Sequence, residues 1–88
     1  MKIIKIGAVW CPGCLVMRPR WQKIEAKFPW LKTEYFDIDE HPELKEKYQL
    51  SNYPAFICLS EQGEVLSQQS GELSEAELEE WFIPFKEQ

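Results

Sequence analysis

The chain has 88 residues, of which 44% are apolar and 14% aromatic, and its 15 acidic and 10 basic side chains give a formal net charge of −5. The apolar content is too high and the charge too modest for a disordered chain, so the composition predicts one folded domain over residues 1–88. The acidic balance argues against nucleic acid and anionic membrane surfaces as partners. No apolar run approaches the roughly 18 residues needed to span a bilayer. We therefore expect neither a nucleic-acid partner nor a membrane partner.

The cysteine count indicates the cellular compartment. The chain has three cysteines, whereas a secreted disulfide framework uses an even number spread along the chain. The N-terminal residues carry no small-residue cleavage site of the kind found in secretory signal peptides. We therefore expect a mature protein in the reducing cytoplasm, where a close cysteine pair is more often catalytic or metal-binding than structural.

The first half of the sequence predicts a strand, a helix and a second strand. The apolar, β-branched run from Ile3 to Val9 is typical of a strand buried on both faces. Apolar side chains then recur at spacings of three and four residues, which predicts one buried helical face made of Cys14, Met17, Trp21, Ile24 and Phe28. Pro19 should kink this helix and Pro29 should end it. A second strand is predicted from Thr33 to Ile38.

The next segments predict a short helix and a hairpin. Pro42 fits the first turn of a helix that reaches about Gln49. The wholly apolar segment Ala55–Leu59 and the segment Val65–Gln69 flank a turn at Gln62-Gly63. This arrangement is typical of two antiparallel strands.

A capping box predicts the start of the final helix. Ser74 and Glu77 have the required spacing, and Leu73 and Leu78 occupy the hydrophobic staple positions. The inward side chains are then Leu78, Trp81, Phe82 and Phe85, and Pro84 disturbs the last turn. The acidic stretch from Glu72 to Glu80 is interpreted as the solvated face of this helix.

The predicted order is β-α-β-α-β-β-α, an α/β fold. Right-handed crossovers would put the first strand in the middle of a four-stranded mixed sheet, with helices on both faces. The loop at the carboxyl end of a central strand is where an open α/β sheet places its chemistry. Cys11 follows the first strand directly, so it is the first candidate for a reactive residue.

The two cysteines of Cys11-Pro12-Gly13-Cys14 are predicted to have different roles. If Pro12 is the first helical residue, Cys11 is the N-cap, and its sulfur faces the free N–H groups of Gly13 and Cys14 and the positive end of the helix dipole. These groups favour a thiolate, which makes Cys11 the expected nucleophile. Cys14 lies one turn later on the buried face, where desolvation disfavours ionisation, so it is the expected resolving thiol.

These roles predict a cycle of disulfide exchange. The Cys11 thiolate attacks a disulfide, a mixed disulfide forms, and Cys14 displaces the reduced product, leaving a Cys11–Cys14 disulfide. The reverse direction uses the same geometry. A metal site is not expected, because tetrahedral zinc needs four ligands and the other soft donors, His41 and Cys58, are not at ligand spacing. Cys58 is interpreted as a small buried hydrophobic residue.

With these motifs assigned, the sequence resembles the thioredoxin superfamily, specifically its small thioredoxin-like and glutaredoxin-like proteins. Six separated features carry the resemblance: Trp10, the Cys11/Cys14 pair, Pro19, Ile38-Asp39, Tyr53-Pro54 and Gly71. The resemblance implies a thioredoxin-like fold, a cis Tyr53–Pro54 bond opposite the cysteines, and a docking surface near Gly71. It also implies that substrate docking and support of the active site involve Trp10, Pro12, Gly13, Tyr53, Pro54 and Gly71.

Three features depart from the family pattern. The chain begins at the strand that is central in the family, without the preceding strand and helix of full-length thioredoxins, which brings its size closer to that of glutaredoxins. The dipeptide is Pro12-Gly13, whereas thioredoxins have Gly-Pro. Lys5 stands where thioredoxins carry a buried aspartate that assists proton transfer. Its ammonium would either favour the thiolate from nearby or extend to solvent.

The expected function is the reduction of protein disulfides by a monomer without a bound cofactor other than the redox-active Cys11–Cys14 disulfide. Electrons would come from a thioredoxin-reductase-like flavoenzyme or from glutathione. One alternative is a glutathione-dependent, glutaredoxin-like reductase. The other is a non-enzymatic thioredoxin-like adaptor whose cysteine pair acts as a redox switch.

Overall fold

The computed structural model describes residues 1–87, and its elements follow the predicted order. They are β1 (Lys2–Gly7), α1 (Pro12–Lys27), β2 (Lys32–Asp37), α2 (Glu43–Lys47), β3 (Ala55–Leu59), β4 (Val65–Ser70) and α3 (Glu75–Phe82), with a 3-10 turn at Ile83–Phe85. Within this described part of the chain, no helix combines the length and the apolar character that crossing a membrane requires.

The four strands form one mixed sheet in the order β2-β1-β3-β4. Strand β1 is parallel to β2 and antiparallel to β3, and β3 is antiparallel to β4. In this register Ile6, near the end of β1, lies between Phe36 of β2 and Ala55 of β3. The end of β1 therefore meets the start of β3, which brings Cys11 and the Tyr53-Pro54 segment to the same edge of the sheet.

Alternate side chains of the strands face two separate layers of helices, as the pleat of a strand dictates. On one face, Ile3 and Phe56 pack with side chains of α1 and α3, among them Met17, Trp21, Ile24, Leu78 and Phe82. On the other face, Ile4 and Ile57 pack with α2 and the residues after it, among them Leu44, Tyr48 and Leu50. The prediction of a central first strand with helices on both faces is confirmed.

The buried stripe of α1 is narrower than its sequence spacing predicts. Met17, Trp21 and Ile24 are buried, but Cys14 and Phe28 are only partly buried. Pro19 lies inside the helix on its exposed side, where solvent can reach the carbonyl group that loses its N–H partner. The helix ends at Lys27, before Pro29, as predicted.

Two loop expectations are wrong. Val9 is 83% exposed, because β1 ends at Gly7 and the chain then turns, with the Cys11 N–H donating to the Ala8 carbonyl at 3.2 Å. Pro42 is the N-cap of α2 and not part of its first turn, and α2 ends at Lys47. The helix does not reach Gln49, because the φ of that residue is +53°, in the left-handed region that a right-handed helix cannot include.

The capping box of α3 is formed as predicted. Ser74 Oγ accepts from the Glu77 N–H at 3.1 Å, and Glu77 Oε1 accepts from the Ser74 N–H at 3.0 Å. The hydrogen bond from the Ser74 N–H, followed by one from the Ser74 hydroxyl, holds the pKa of the Glu77 carboxyl below its ordinary value. At the other end of the helix, Pro84 lies in the 3-10 turn, and Phe85 packs against the α1/α3 layer.

Candidate active site

Cys11 caps the N-terminus of α1. Its backbone is extended, with φ −94° and ψ 111°, and Pro12 is the first helical residue. Cys11 Sγ accepts a hydrogen bond from the Cys14 N–H at 3.3 Å. The predicted cap is confirmed, although its hydrogen bond comes from Cys14 alone and not also from Gly13. A sulfur in this position faces the partial positive charge of the helix N-terminus, which favours a negative charge on it.

The surroundings of Cys14, in contrast to those of Cys11, disfavour a negative charge on its sulfur. Burial, followed by the hydrogen bond that it shares with Cys11, raises the pKa of the Cys14 thiol to about 11. The nearby Asp37 carboxylate adds to this shift. The Cys14 thiol is therefore protonated at neutral pH, as the sequence predicts for a desolvated second cysteine.

Cys11 lies on the floor of an open groove, which we call the front groove. The groove has a volume of about 560 Å³ and is lined by three segments, residues 10–13, 51–54 and 71–72. Cys11 itself is only 4% exposed. The front groove brings together seven of the eight predicted site residues: Trp10, Cys11, Pro12, Gly13, Tyr53, Pro54 and Gly71. The exception is Cys14, which lies behind the groove.

Aromatic side chains form one rim of the front groove. Trp10 is 58% exposed, and its Nε1 donates to Asp39 Oδ2 at 2.8 Å. Its ring meets the edge of Tyr53, with 5.9 Å between the centroids. The hydrogen bond and the aromatic contact hold an exposed tryptophan in a defined orientation beside Cys11.

Close backbone packing forms the rest of the groove. The Tyr53–Pro54 peptide bond is cis, as the resemblance implies, and the Gly71 N–H donates to the Pro54 carbonyl at 2.8 Å. A Cβ on Gly13 would lie 3.1 Å from Pro54 Cδ and 3.3 Å from Glu72 Cγ. Glycine at position 13 therefore lets the three segments approach one another.

Gly71 is required by its own backbone as well as by its position. Its φ is +89°, a conformation that L side chains rarely adopt. A Cβ added there would meet no atom of this chain within 4 Å. Position 71 therefore leaves open space at the end of the groove, in keeping with the docking surface that the resemblance implies.

Cys14 lines a second space, which we call the rear cavity. This cavity of about 240 Å³ lies between α1 and the strands β1 and β2, and its walls include Lys5, Glu25 and Tyr35. A Cβ on Gly7 would lie 2.9 Å from Cys14 Sγ and 3.2 Å from the Tyr35 hydroxyl. Because Gly7 has no side chain, both groups can pack against the end of β1.

The Lys5 side chain differs from both expectations, which were an ammonium close to the cysteine thiolate or one extended into solvent. Its Nζ binds Glu25 Oε2 at 2.6 Å, and its side chain is only 17% exposed. The same carboxylate oxygen accepts from the Thr33 hydroxyl at 3.0 Å. The positive charge of Lys5 is thus paired inside the rear cavity, where it is neither an unpaired cation beside the cysteines nor a side chain extended into solvent.

The third cysteine, Cys58, lies outside this site. Cys58 is fully buried on β3, and burial raises the pKa of its thiol. It packs as a small apolar residue in the α1/α3 layer, as expected. Within residues 1–87, no three His, Cys, Asp or Glu side chains are grouped so that they could hold a metal ion.

The thioredoxin family model matches residues 1–83. The chain belongs to the thioredoxin family. The matched range includes both cysteines of the site and all three segments of the front groove.

Individual thioredoxins align with this family member at modest identity. It is 30% identical over 63 residues to thioredoxin H5 of Oryza sativa subsp. japonica, which covers 72% of this chain and 47% of that protein. It is 25% identical over 79 residues to thioredoxin C-3 of Corynebacterium nephridii, which covers 90% of this chain and 54% of that protein. The chain thus spans about half the length of the curated relatives that it matches.

Solved thioredoxin structures have the same fold. Oxidised mitochondrial thioredoxin 3 from Saccharomyces cerevisiae superposes with a TM-score of 0.82 at 24% identity, over 93% of this chain and 76% of that chain. A thioredoxin from Nicotiana alata gives a TM-score of 0.84, also at 24% identity, over 93% of this chain and 70% of that chain. The thioredoxin-like fold expected from the sequence is therefore confirmed.

Sequence reasoning missed several residues of this thioredoxin-family site. Glu25 and Tyr35 reach the rear cavity from α1 and β2, and Gly7 makes room for them and for Cys14. The interpretation of Glu72 as part of the solvated face of the last helix is wrong, because Glu72 precedes α3 and lines the front groove. The glycine within the apolar run from Ile3 to Val9 was the available signal for Gly7, whereas the other contacts depend on tertiary packing.

Proposed function

We propose that this thioredoxin-family protein is a thiol–disulfide oxidoreductase that reduces disulfides in other proteins. One observation carries the proposal. Cys11 Sγ caps the N-terminus of α1 on the floor of the front groove, while Cys14, one turn later, has a thiol with a pKa of about 11. Two adjacent sulfurs with opposite preferences for charge are what sequential attack and release require.

In the first step, the Cys11 thiolate attacks one sulfur of a substrate disulfide. The substrate S–S bond breaks, a bond forms between Cys11 and that sulfur, and the other substrate sulfur leaves as a thiolate and takes a proton from solvent. Trp10, Tyr53 and Gly71 bound the space in which the substrate backbone lies. Pro12 and Gly13 keep the first turn of α1 close to Pro54, so that Cys11 faces the groove.

In the second step, Cys14 resolves the mixed disulfide. Its thiol loses a proton and attacks Cys11 Sγ, the bond to the substrate breaks, and the substrate sulfur leaves as a thiolate that is protonated by solvent. The products are two substrate thiols and the Cys11–Cys14 disulfide. Two electrons have passed to the substrate. Because the Cys14 pKa is raised, only a small fraction of Cys14 is thiolate at neutral pH, and this step accelerates as that fraction rises.

Returning the pair to its reduced form takes two electrons and two protons. We propose a thioredoxin-reductase-like flavoenzyme as the donor, because the curated relatives are thioredoxins. Glutathione is the alternative donor. Oxidised protein that is reduced by the flavoenzyme but not by reduced glutathione supports the first donor, and the opposite result supports a glutaredoxin-like reaction.

The insulin-reduction assay tests the proposed activity. We expect the wild-type chain to accelerate the precipitation of insulin chains in the presence of a dithiol, and Cys11→Ser to fall to the background rate. Cys58→Ala is the matched control, because it removes a cysteine that lies outside the site, and it should keep wild-type activity. A wild-type chain at background would contradict the proposed activity and favour the adaptor alternative. A Cys11→Ser variant as active as wild type would contradict the assignment of Cys11 as the nucleophile.

The proposed setting is a monomer in the reducing cytoplasm. The odd number of cysteines supports this compartment. Size-exclusion chromatography with light scattering should give the mass of one chain. Thiol trapping in cells should find Cys11 and Cys14 mostly reduced.

A further inference from the structure

The front groove has one charged wall. Among its ten described lining residues, Glu72 is the only aspartate, glutamate, histidine, lysine or arginine. It lies close to the first turn of α1, since a Cβ on Gly13 would be 3.3 Å from Glu72 Cγ and 3.7 Å from its Oε2. A docked substrate therefore passes next to a carboxylate as it approaches Cys11.

The charge of Glu72 is not neutralised by the chain. Glu72 takes part in none of the salt bridges between residues 1–87. Arg20 binds the neighbouring residue, but its guanidinium donates to the Leu73 carbonyl at 2.8 Å and makes no salt bridge with the Glu72 carboxylate. At the opposite rim of the groove, the Trp10 indole is held by another carboxylate, that of Asp39. Within residues 1–87, no lysine or arginine lines the groove.

We propose that Glu72 selects substrates in which a lysine or arginine lies next to the reactive disulfide. This inference rests on the proposed function and names the substrate class of the same groove. While the Cys11–substrate bond forms and the other substrate sulfur leaves as a thiolate, a basic side chain next to the disulfide is attracted to the Glu72 carboxylate. This attraction stabilises the docked substrate during the attack. An acidic side chain in that place is repelled, and both effects favour the basic substrate.

The expected size follows from Coulomb's law. A pair of charges about 4 Å apart gains about 1 kcal/mol in water, which corresponds to roughly a fivefold change in rate. Equal attraction and repulsion at this distance would multiply to about 25-fold, but an acidic side chain turns away from Glu72 and loses less than a basic one gains, so the expected preference is about 10-fold. Because the groove is open to solvent, the preference should largely disappear at about 1 M salt, where the Debye length is only about 3 Å.

The experiment uses the full chain and three short peptide disulfides whose cysteines are flanked on both sides by lysine, serine or glutamate. Oxidation of the reduced protein is followed by tryptophan fluorescence in a stopped-flow instrument, and the time courses give a second-order rate constant for each peptide. Each rate constant is divided by that of dithiothreitol with the same peptide, which removes differences in the intrinsic reactivity of the disulfides. We expect wild type to prefer the lysine peptide over the glutamate peptide by about 10-fold.

Glu72→Gln should reduce this preference to about threefold or less, and Glu72→Lys should reverse it. Glu61→Gln is the matched control. It makes the same change in net charge, but Glu61 is exposed in the β3–β4 turn, at the opposite end of the sheet from Cys11. This control should keep the wild-type preference.

Three outcomes overturn the inference while leaving the proposed function intact. They are a wild-type protein that reduces all three peptides equally, a Glu72→Gln variant with the wild-type preference, and equal losses of preference in Glu72→Gln and Glu61→Gln. A wild-type protein that reduces neither the peptides nor insulin contradicts the proposed function, and the inference fails with it. A far-UV circular dichroism spectrum and a urea unfolding midpoint close to those of wild type show that Glu72→Gln is folded.

Discussion

The front groove and the rear cavity meet at the first turn of α1, and they give two neighbouring sulfurs opposite surroundings. In front, Cys11 Sγ receives an N–H hydrogen bond at the positive end of a helix and faces an open groove. Behind, Cys14 packs against Gly7 and Tyr35, and burial raises the pKa of its thiol to about 11. Three positions along one helix are enough to separate a nucleophile from a resolving thiol.

The two regions also treat charge differently. In the rear cavity, the Lys5 ammonium is paired with the partly buried Glu25 carboxylate. In the front groove, the Glu72 carboxylate forms no salt bridge with any residue in 1–87. Paired charges contribute to the packing behind Cys14, whereas an unpaired charge is available to a substrate in front of Cys11.

The largest expected effect comes from removing the rear sulfur. Cys14→Ser should still form the mixed disulfide on Cys11, because the front groove is unchanged, but it should not release the substrate. We expect one equivalent of covalent adduct by mass spectrometry and insulin turnover at the background rate. If Cys14→Ser turns over at the wild-type rate, the assignment of the resolving thiol is wrong.

The next effect is the pH dependence of the second step. With the Cys11 sulfur in a mixed disulfide, burial still disfavours the Cys14 thiolate, and the thiolate fraction rises about tenfold per pH unit below its pKa. The release of a chromophoric thiol from Cys11 in a single turnover should therefore accelerate about tenfold per unit from pH 6 to 9. A rate that is constant over this range would mean that Cys14 ionises much more readily than its surroundings indicate.

The sequence predicted the elements that carry the front groove more completely than those around the rear cavity. Apolar spacing and the Cys11-Pro12 start of α1 were sufficient for the fold and for the N-cap, because both are local patterns. The contacts of Lys5 were not predictable, since they depend on the orientation of α1 over β1 and on Glu25, about three turns beyond Cys14. Glu72 was missed because it lies in the loop before α3. Its place in the groove depends on the path of that loop, which helical periodicity does not predict.

A smaller effect tests the packing between the end of β1 and Cys14. Gly7→Ala places a Cβ 2.9 Å from Cys14 Sγ and 3.2 Å from the Tyr35 hydroxyl, and overpacking of this kind costs about 1–3 kcal/mol. Urea unfolding should measure this loss in the free energy of unfolding. The loss should be smaller in a Cys14→Ala background, where one of the two contacts is absent. An equal loss in both backgrounds would contradict the contact with Cys14.

The smallest expected effect concerns the paired charges behind the cysteines. Lys5→Met leaves the partly buried Glu25 with only the Thr33 hydroxyl as a partner, and we expect a loss of about 1–2 kcal/mol in the free energy of unfolding. Lys2→Met is the matched control, because Lys2 pairs with Glu34 at the surface, where the two side chains are 42% and 45% exposed, and such pairs contribute about 0–1 kcal/mol. Lys5→Met should leave the preference among the peptide disulfides unchanged. A larger loss in the control, or a changed preference, would contradict the division between the two regions.

The order in which the two thiols react tests the central claim most directly. The reduced chain is treated briefly with limiting iodoacetamide at pH 7, quenched, digested, and the label on each cysteine is measured by mass spectrometry. The account predicts that Cys11 is labelled well before Cys14, because the helix N-terminus favours a charged Cys11 sulfur while burial keeps Cys14 protonated. Labelling of Cys14 first, or of both thiols at the same rate, would contradict it.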